Sequence, residues 1–116
     1  MPDCLFCSIV AGDVPADIVR TDELTVAFRD INPQAPVHVL VVPKRHIVNA
    51  GTVVGSDAAE VTALLTAARA VAEAEGIGGP DRGYRLVFNV GPDALNSVDH
   101  LHLHMLGGRT FEWPPG

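Results

Sequence analysis

The decapeptide DHLHLHMLGG near the C-terminus restricts this chain more than any other stretch. Three of the five histidines, His100, His102 and His104, stand at alternate positions with Leu101 and Leu103 between them. On a helix these positions would point in different directions. On a strand successive side chains face opposite sides, so the three imidazoles share one face while Leu101, Leu103 and Met105 share the other. The alternation therefore predicts a strand over 100–106, its apolar face in the core and its imidazoles in a row about 6.5 to 7 Å apart. Imidazole alone has an unperturbed pKa near neutrality, so such a row can donate, accept, bind metal or attack.

Elsewhere the apolar pattern switches between two periods. LTVAFRD (24–30) sets Leu24, Val26 and Phe28 on one side and Thr25, Ala27 and Arg29 on the other, which predicts a half-buried strand. VHVLVVP is rich in β-branched residues and stops at Pro43, predicting a strand at 37–42. Residues 17–20 and YRLVFNV (84–90) read as two more. A stripe of Val61, Leu64, Leu65, Ala68, Val71 and Ala72 predicts one long helix over 57–75, with Asp57 and Glu60 spaced as a capping box and Gly76 as the stop. A short helix is expected at 5–11, closed by Gly12. This order lacks the regular strand–helix alternation of a parallel sheet. The expected architecture is α+β, a mostly antiparallel sheet of about five strands with the two helices packed on it. A chain of 116 residues has room for one hydrophobic core, hence a single domain over 1–116.

Charge and cysteines narrow the chemistry. Eight Lys and Arg against 14 Asp and Glu leave a net charge of −6, which argues against a nucleic acid polymer, whose binding draws on counterions displaced by a basic surface. A small anion needs only a few local donors and stays open. No run approaches the roughly 18 to 20 apolar residues of a membrane helix. MPDCLFCSIVAGD also lacks the positive leader of a signal peptide, so a cytoplasmic protein with no membrane attachment is expected. There the C-x-x-C of Cys4 and Cys7 is a metal half-site, a redox pair or two small buried residues. The redox reading ranks last, because a thioredoxin-like pair follows a strand and only six residues precede Cys7.

For the histidine row three readings compete: a solvated strand face, a metal site in which two histidines bite one ion, and nucleophilic catalysis on phosphorus. The sequence resembles a known family in three separated motifs that agree in order and approximate spacing. SVDHLHLHMLGG, the upstream FRDINPQAPVHVLVVPKRH and the terminal WPPG resemble the histidine triad (HIT) family, specifically its nucleotide-binding, phosphoramidase branch. The likeness runs from CLFCSIVAGDVPA to the last residue.

The resemblance implies a homodimer that binds a purine nucleoside monophosphate and hydrolyses the bond joining adenylate or guanylate to an amine, with no catalytic metal or organic cofactor. It places the nucleophile on His102, its orienting neighbour on His100 and a phosphate contact on His104. Ser97 matches the serine that hydrogen-bonds toward the leaving group, and Asn89, at the end of the preceding strand, matches a phosphate-binding position. Asp30 matches the carboxylate that accepts both ribose hydroxyls, within the capacity of one carboxylate. Phe6, Val14, Phe28 and Ile31 fall on positions lining the base pocket. Where relatives carry a C-x-x-C it binds a structural zinc with two histidines, which here are His46 and His100. Two sulfur and two nitrogen ligands with Cys4 and Cys7 make a closed tetrahedral set.

His38, inside the strand at 37–42, matches a common position with no assigned chemical role and is read as structural. The loop DALNSV departs from the family, with Leu95 and Asn96 replacing a glycine and a glutamine near the leaving group. A side chain at 95 forbids conformations open to glycine, so the approach of the amine portion is expected to differ. Asp99 adds a negative charge on the side away from His100. Trp113 is a candidate for shaping the leaving-group end or for interface packing. A non-catalytic nucleotide-binding regulatory module and a dinucleoside polyphosphate hydrolase are the alternative functions.

Overall fold

The computed structural model describes residues 4–116. In chain order the elements are a short helix α1 (Leu5–Ala11), strands β1 (Ile18–Thr21), β2 (Thr25–Arg29) and β3 (Val37–Pro43), a long helix α2 (Ala58–Ala74), and strands β4 (Tyr84–Val87) and β5 (Leu103–Gly107). The strands pair antiparallel throughout, in the order β1-β2-β3-β5-β4. This is the expected α+β architecture. Among the described residues no helix is long and apolar enough to cross a membrane.

The sheet has a helix on each face. On one side Ala27, Val39, Val41, Leu103 and Met105 pack against Leu64, Ala67, Ala68, Val71 and Ala72 of α2. On the other, Val26, Phe28, Leu40 and Val42 pack against Phe6 and Ile9 of α1. β2 is therefore buried on both faces up to Arg29, where alternation predicted one solvated face. Its polar Thr25 tolerates this because its hydroxyl donates to Asp22 at 2.8 Å. The α2 stripe also differs from expectation, since Leu65 is 45% exposed, Val61 is half-buried and Ala67 joins the core instead. Positions 64, 67, 68, 71 and 72 keep the three-and-four spacing that holds one face together.

The capping box expected at Asp57 and Glu60 does not form. Asp57 ends a 3₁₀ turn and makes no side-chain cap bond to α2. Its carboxylate instead accepts from the Val54 N–H at 2.9 Å and pairs with Arg45, whose guanidinium also reaches Glu60 at 2.9 Å. Both acids thus serve the Arg45 guanidinium, which ties the connection after β3 to the start of α2. At the other end Gly76 takes the left-handed conformation at φ 76° and stops the helix, as expected.

Besides β2, which loses one residue at each end, β4 and β5 are shorter than predicted, and these two for one reason. β5 begins at Leu103 and β4 ends at Val87, paired with His104. Residues 100–102 leave the ladder: the Leu101 N–H bonds the Ile47 carbonyl at 2.6 Å, and the His100 ring turns to the end of β3. The β4–β5 pairing stops at Val87 and His104, and with residues 100–102 turned away, residues 89 and 90 have no strand to extend β4 along.

The core between α2 and the sheet should carry most of the stability. Leu64 is fully buried there, and Leu64→Ala is expected to cost about 2–5 kcal/mol through lost burial and the cavity left behind. Urea unfolding followed by circular dichroism should show a lower midpoint at an unchanged slope.

Candidate active site and metal centre

The histidine row lies on the α1 face of the sheet. His104 stands on β5 opposite Leu40 of β3, and His38 lies two residues before Leu40, so both rings share that face. The His38 and His104 rings are 5.2 Å apart between centroids, and those of His104 and His102 5.0 Å. Phe6 meets His102 edge-on at 5.1 Å and His100 at 6.0 Å. The three motif histidines thus stay on one side although His104 is the one within the regular strand, and the 102–104 spacing is closer than an ideal strand would give.

Backbone carbonyls set the hydrogens on two of these rings, because a carbonyl can only accept. His102 Nδ1 donates to the His100 carbonyl at 2.8 Å, so a neutral His102 carries its lone pair on Nε2. His100 Nε2 donates to the Pro43 carbonyl at 2.9 Å, so its lone pair lies on Nδ1. Burial lowers the His100 pKa, opposed by the Pro43 bond and aided by His46 and His102. His104 is pushed down to about 4, chiefly by burial and then by His102 and His38, with Asp30 opposing. It is neutral at physiological pH.

The bare Nδ1 of His100 faces the cysteines. It lies 3.3 Å from Cys4 Sγ and 3.4 Å from Cys7 Sγ, while Cys7 Sγ lies 3.3 Å from His46 Nδ1. The ligand atoms of Cys4, Cys7, His46 and His100 all fall within 4.8 Å of one another. Tetrahedral zinc with metal–sulfur bonds near 2.3 Å and metal–nitrogen bonds near 2.0 Å separates its sulfur and nitrogen ligands by roughly 3.5 Å. The donor set and its spacing fit such an ion, and the Pro43 carbonyl supplies the outer hydrogen bond that orients a metal-bound imidazole. Cys4 also caps α1, its sulfur accepting from the Cys7 N–H. Burial raises the Cys7 pKa, with Cys4 adding to the effect.

A cleft of about 680 Å³ opens beside His104, with His38, Asn89, Arg85 and the terminal Pro114 and Pro115 among its walls. Asn89 faces it from two residues beyond β4. Asp30, just past β2, holds its carboxylate 3.4 Å from His38 Nε2 and accepts from the Asn32 N–H at 2.8 Å. Phe6 and Phe28 form a buried edge-on pair at 5.4 Å, Val14 packs against their cluster, and Ile31 is fully exposed. Ser97 lines a different cleft of about 580 Å³, with Cys4, Leu5 and His46. Asp99 is exposed, and so is Trp113 at 81%. Arg85 donates to the Glu112 carbonyl at 2.7 Å and its guanidinium lies 5.0 Å from the Phe111 ring, holding the tail against the sheet.

Leu95 adopts the left-handed conformation, φ 61°, that glycine favours, at a cost of about 1–2 kcal/mol. Its side chain is 85% exposed, so leucine alters what the loop displays. Asn96 Oδ1 is buried without a hydrogen-bond partner.

Sequence reasoning missed one contact. His38, read as structural, lies 2.9 Å from His104, Nε2 to Nδ1, and 3.0 Å from the Gln34 amide through its Nδ1. The signal was the shared period of two on adjacent strands, but it becomes legible only once the β3–β5 register is known.

A row of sheet-borne imidazoles beside a Cys₂His₂ cluster places the chain among small α+β proteins that present histidine to a cleft. The HIT domain model matches residues 11–111, and the chain belongs to the HIT family. It is 46% identical over 114 residues to a HIT-like protein of Synechococcus elongatus, covering 98% of this chain and 97% of that one. A 14 kDa zinc-binding protein of Zea mays is 44% identical over 117 residues, covering 97% and 87%. The crystal structure of a HIT family hydrolase from Legionella pneumophila superposes with a TM-score of 0.93 at 47% identity, covering 98% and 100%.

Proposed function

We propose that this protein is a nucleotide-binding hydrolase that cleaves purine nucleoside 5′-phosphoramidates through a nucleotidyl-histidine intermediate. The observation that carries the reading is the His102 Nδ1 bond to the His100 carbonyl. It commits the ring hydrogen to Nδ1 and leaves Nε2 as a neutral nucleophile. Attack by Nε2 on the α-phosphorus forms an N–P bond and breaks the bond to the leaving nitrogen, which takes a proton from solvent and departs as the amine. The carbonyl then faces the Nδ1–H of an imidazolium, whose charge it stabilises. Water attacks the same phosphorus in the second step and gives up a proton to solvent, which restores the Nε2 lone pair, releases the nucleoside monophosphate and replaces the proton taken by the amine.

The other residues take their parts around that centre. Asp30 accepts the ribose hydroxyls, Phe6, Val14, Phe28 and Ile31 border the base, His104 and Asn89 contact phosphate oxygens, and Ser97 serves the leaving group. His100 orients His102 through its carbonyl while its ring faces the cysteines, so one residue meets both demands. Cys4, Cys7, His46 and His100 hold a structural zinc, a reading supported by their spacing and by the zinc-binding maize relative. Zinc there supplies folding energy and no step of the reaction. The working form is a cytoplasmic homodimer.

Brief exposure to adenosine 5′-phosphoramidate followed by acid-free peptide mass spectrometry should find adenylate on the peptide carrying His102. Binding of AMP without any covalent adduct or turnover would instead mark a regulatory module. Preference for diadenosine polyphosphate in direct competition would mark the polyphosphate hydrolase.

A further inference from the structure

We propose that Arg85 and Arg109 form an anion subsite beyond the phosphate contact and select leaving amines that carry a carboxylate. The inference rests on the phosphoramidate reading above and names the class of amine that the reading leaves open.

Strand register brings Arg85 to the site. Val87 of β4 pairs with His104 and Arg85 pairs with Leu106, and residues opposite one another in an antiparallel ladder point to the same face. Arg85 therefore stands on the histidine face, diagonal to His104 at roughly 7–8 Å. In the order β1-β2-β3-β5-β4 the strand that leads to Asp30 lies on one side of β5 and β4 on the other. A nucleoside held at Asp30 thus leaves the β4 side for the amine. There the cleft beside His104 has Arg85, Arg109 and Phe111 in its wall, and an adjoining cleft of about 660 Å³ shares all three and adds Arg82 and Asp81.

Both guanidiniums are held in place without being neutralised. Arg109 lies 4.3 Å and Arg85 5.0 Å from the centroid of the Phe111 ring, a contact that fixes a planar cation and leaves its N–H edge open. Arg85 donates to the Glu112 carbonyl at 2.7 Å, and Arg109 to the Thr110 and Gln34 carbonyls at 3.3 Å each. A guanidinium has five N–H donors, so both keep several. Among the described residues the ion pairs are made by Arg20, Arg29, Arg45 and His38. Neither Arg85 nor Arg109 joins one, although Glu112 and Asp81 border the two clefts.

In a chain of net charge −6, two unpaired cations beside one cleft call for an anion from outside. The α-phosphate already has His104 and Asn89, and Arg85 stands one diagonal further on, where a group several bonds beyond phosphorus falls. A carboxylate meets the guanidinium edge with two oxygens, whereas an uncharged amine leaves those donors to water. A terminal phosphate shares this chemistry. Cleavage at nitrogen selects the carboxylate, because the atoms beyond that nitrogen are the carbons of an amine.

The test compares two ligands that differ in one charge. Calorimetry on His102→Ala, which removes turnover, should show the adenosine 5′-phosphoramidate of β-alanine binding about 10-fold tighter than that of β-alaninamide. Arg85→Met and Arg109→Met should each narrow this ratio, and the double substitution should bring it near one, as should about 1 M salt. A loosened tail would weaken both ligands alike, so the ratio reads the charge contact. Equal binding of the two ligands overturns the proposal, as does a ratio that survives the double substitution. A double variant that loses affinity for ADP relative to AMP, with the carboxylate ratio untouched, assigns the arginines to phosphate and overturns it too. If that variant does not fold, the exposed Arg109→Met and the salt titration decide. These measurements need no turnover: a standing preference in a protein that hydrolyses neither compound defeats the reaction reading alone, and hydrolysis of both with equal binding defeats the subsite alone.

Discussion

Replacing His102 with alanine should lower kcat for adenosine 5′-phosphoramidate hydrolysis by about 10⁴-fold or more, with no adenylate recovered on the protein. Removal of a nucleophile takes away the whole two-step route, whereas loss of a binding contact only weakens it. The neighbouring residues supply the contrast. On the proposed reading Asp30 accepts the ribose hydroxyls, a bond made equally in ground and transition states, so Asp30→Asn should mainly raise KM. AMP affinity should survive in His102→Ala, since His104 and Asn89 line the cleft independently of it. The ring is buried against Phe6 and His104, so the variant should also unfold at a somewhat lower temperature. Measuring kcat at a temperature where circular dichroism shows the variant fully folded separates the two effects. Turnover within tenfold of wild type would remove His102 from the role of nucleophile.

What the sequence makes legible follows from the range of the interactions involved. β3 could be read because its run of β-branched residues and its proline stop are local, and it spans Val37–Pro43 against an expected 37–42. α1 and its glycine stop could be read for the same reason, Gly12 standing at φ 82°. The start of β5 could not. Alternation continues through His100 and His102, but the chain leaves the ladder there because His100 answers to Pro43 and to cysteines at the opposite end of the sequence. The capping box failed in the same way, its acids drawn off by Arg45 from a preceding loop. Burial of β2 on both faces depended on where α1 would pack. In the site, the Cys4, Cys7, His46 and His100 grouping came from family likeness and the structure brings their donor atoms together. The pairing of His38 with His104 depended on register, which residue spacing within one strand does not encode.

Metal removal should produce the largest loss of stability. Strong chelation, or the double substitution Cys4→Ser with Cys7→Ser, is expected to lower Tm by about 10 °C or more, as loss of several kcal/mol of folding-linked binding energy would. α1 has seven residues, too few to hold a helix in water unaided. Phe6 and Ile9 anchor it by burial, and the four-residue cluster joins it to the loop after β3 and to the segment before β5. Freeing those ends also frees the His100 carbonyl that orients His102, so kcat should fall along with Tm. AMP affinity should fall less, because Asp30 and His104 lie outside the cluster. Elemental analysis of protein purified without chelator should give about one zinc per chain, and readdition of zinc to chelated protein should restore Tm in proportion to occupancy. A protein that carries no zinc under those conditions, and whose Tm chelation leaves unchanged, would have its cysteines as plain core residues and α1 held by Phe6 and Ile9 alone.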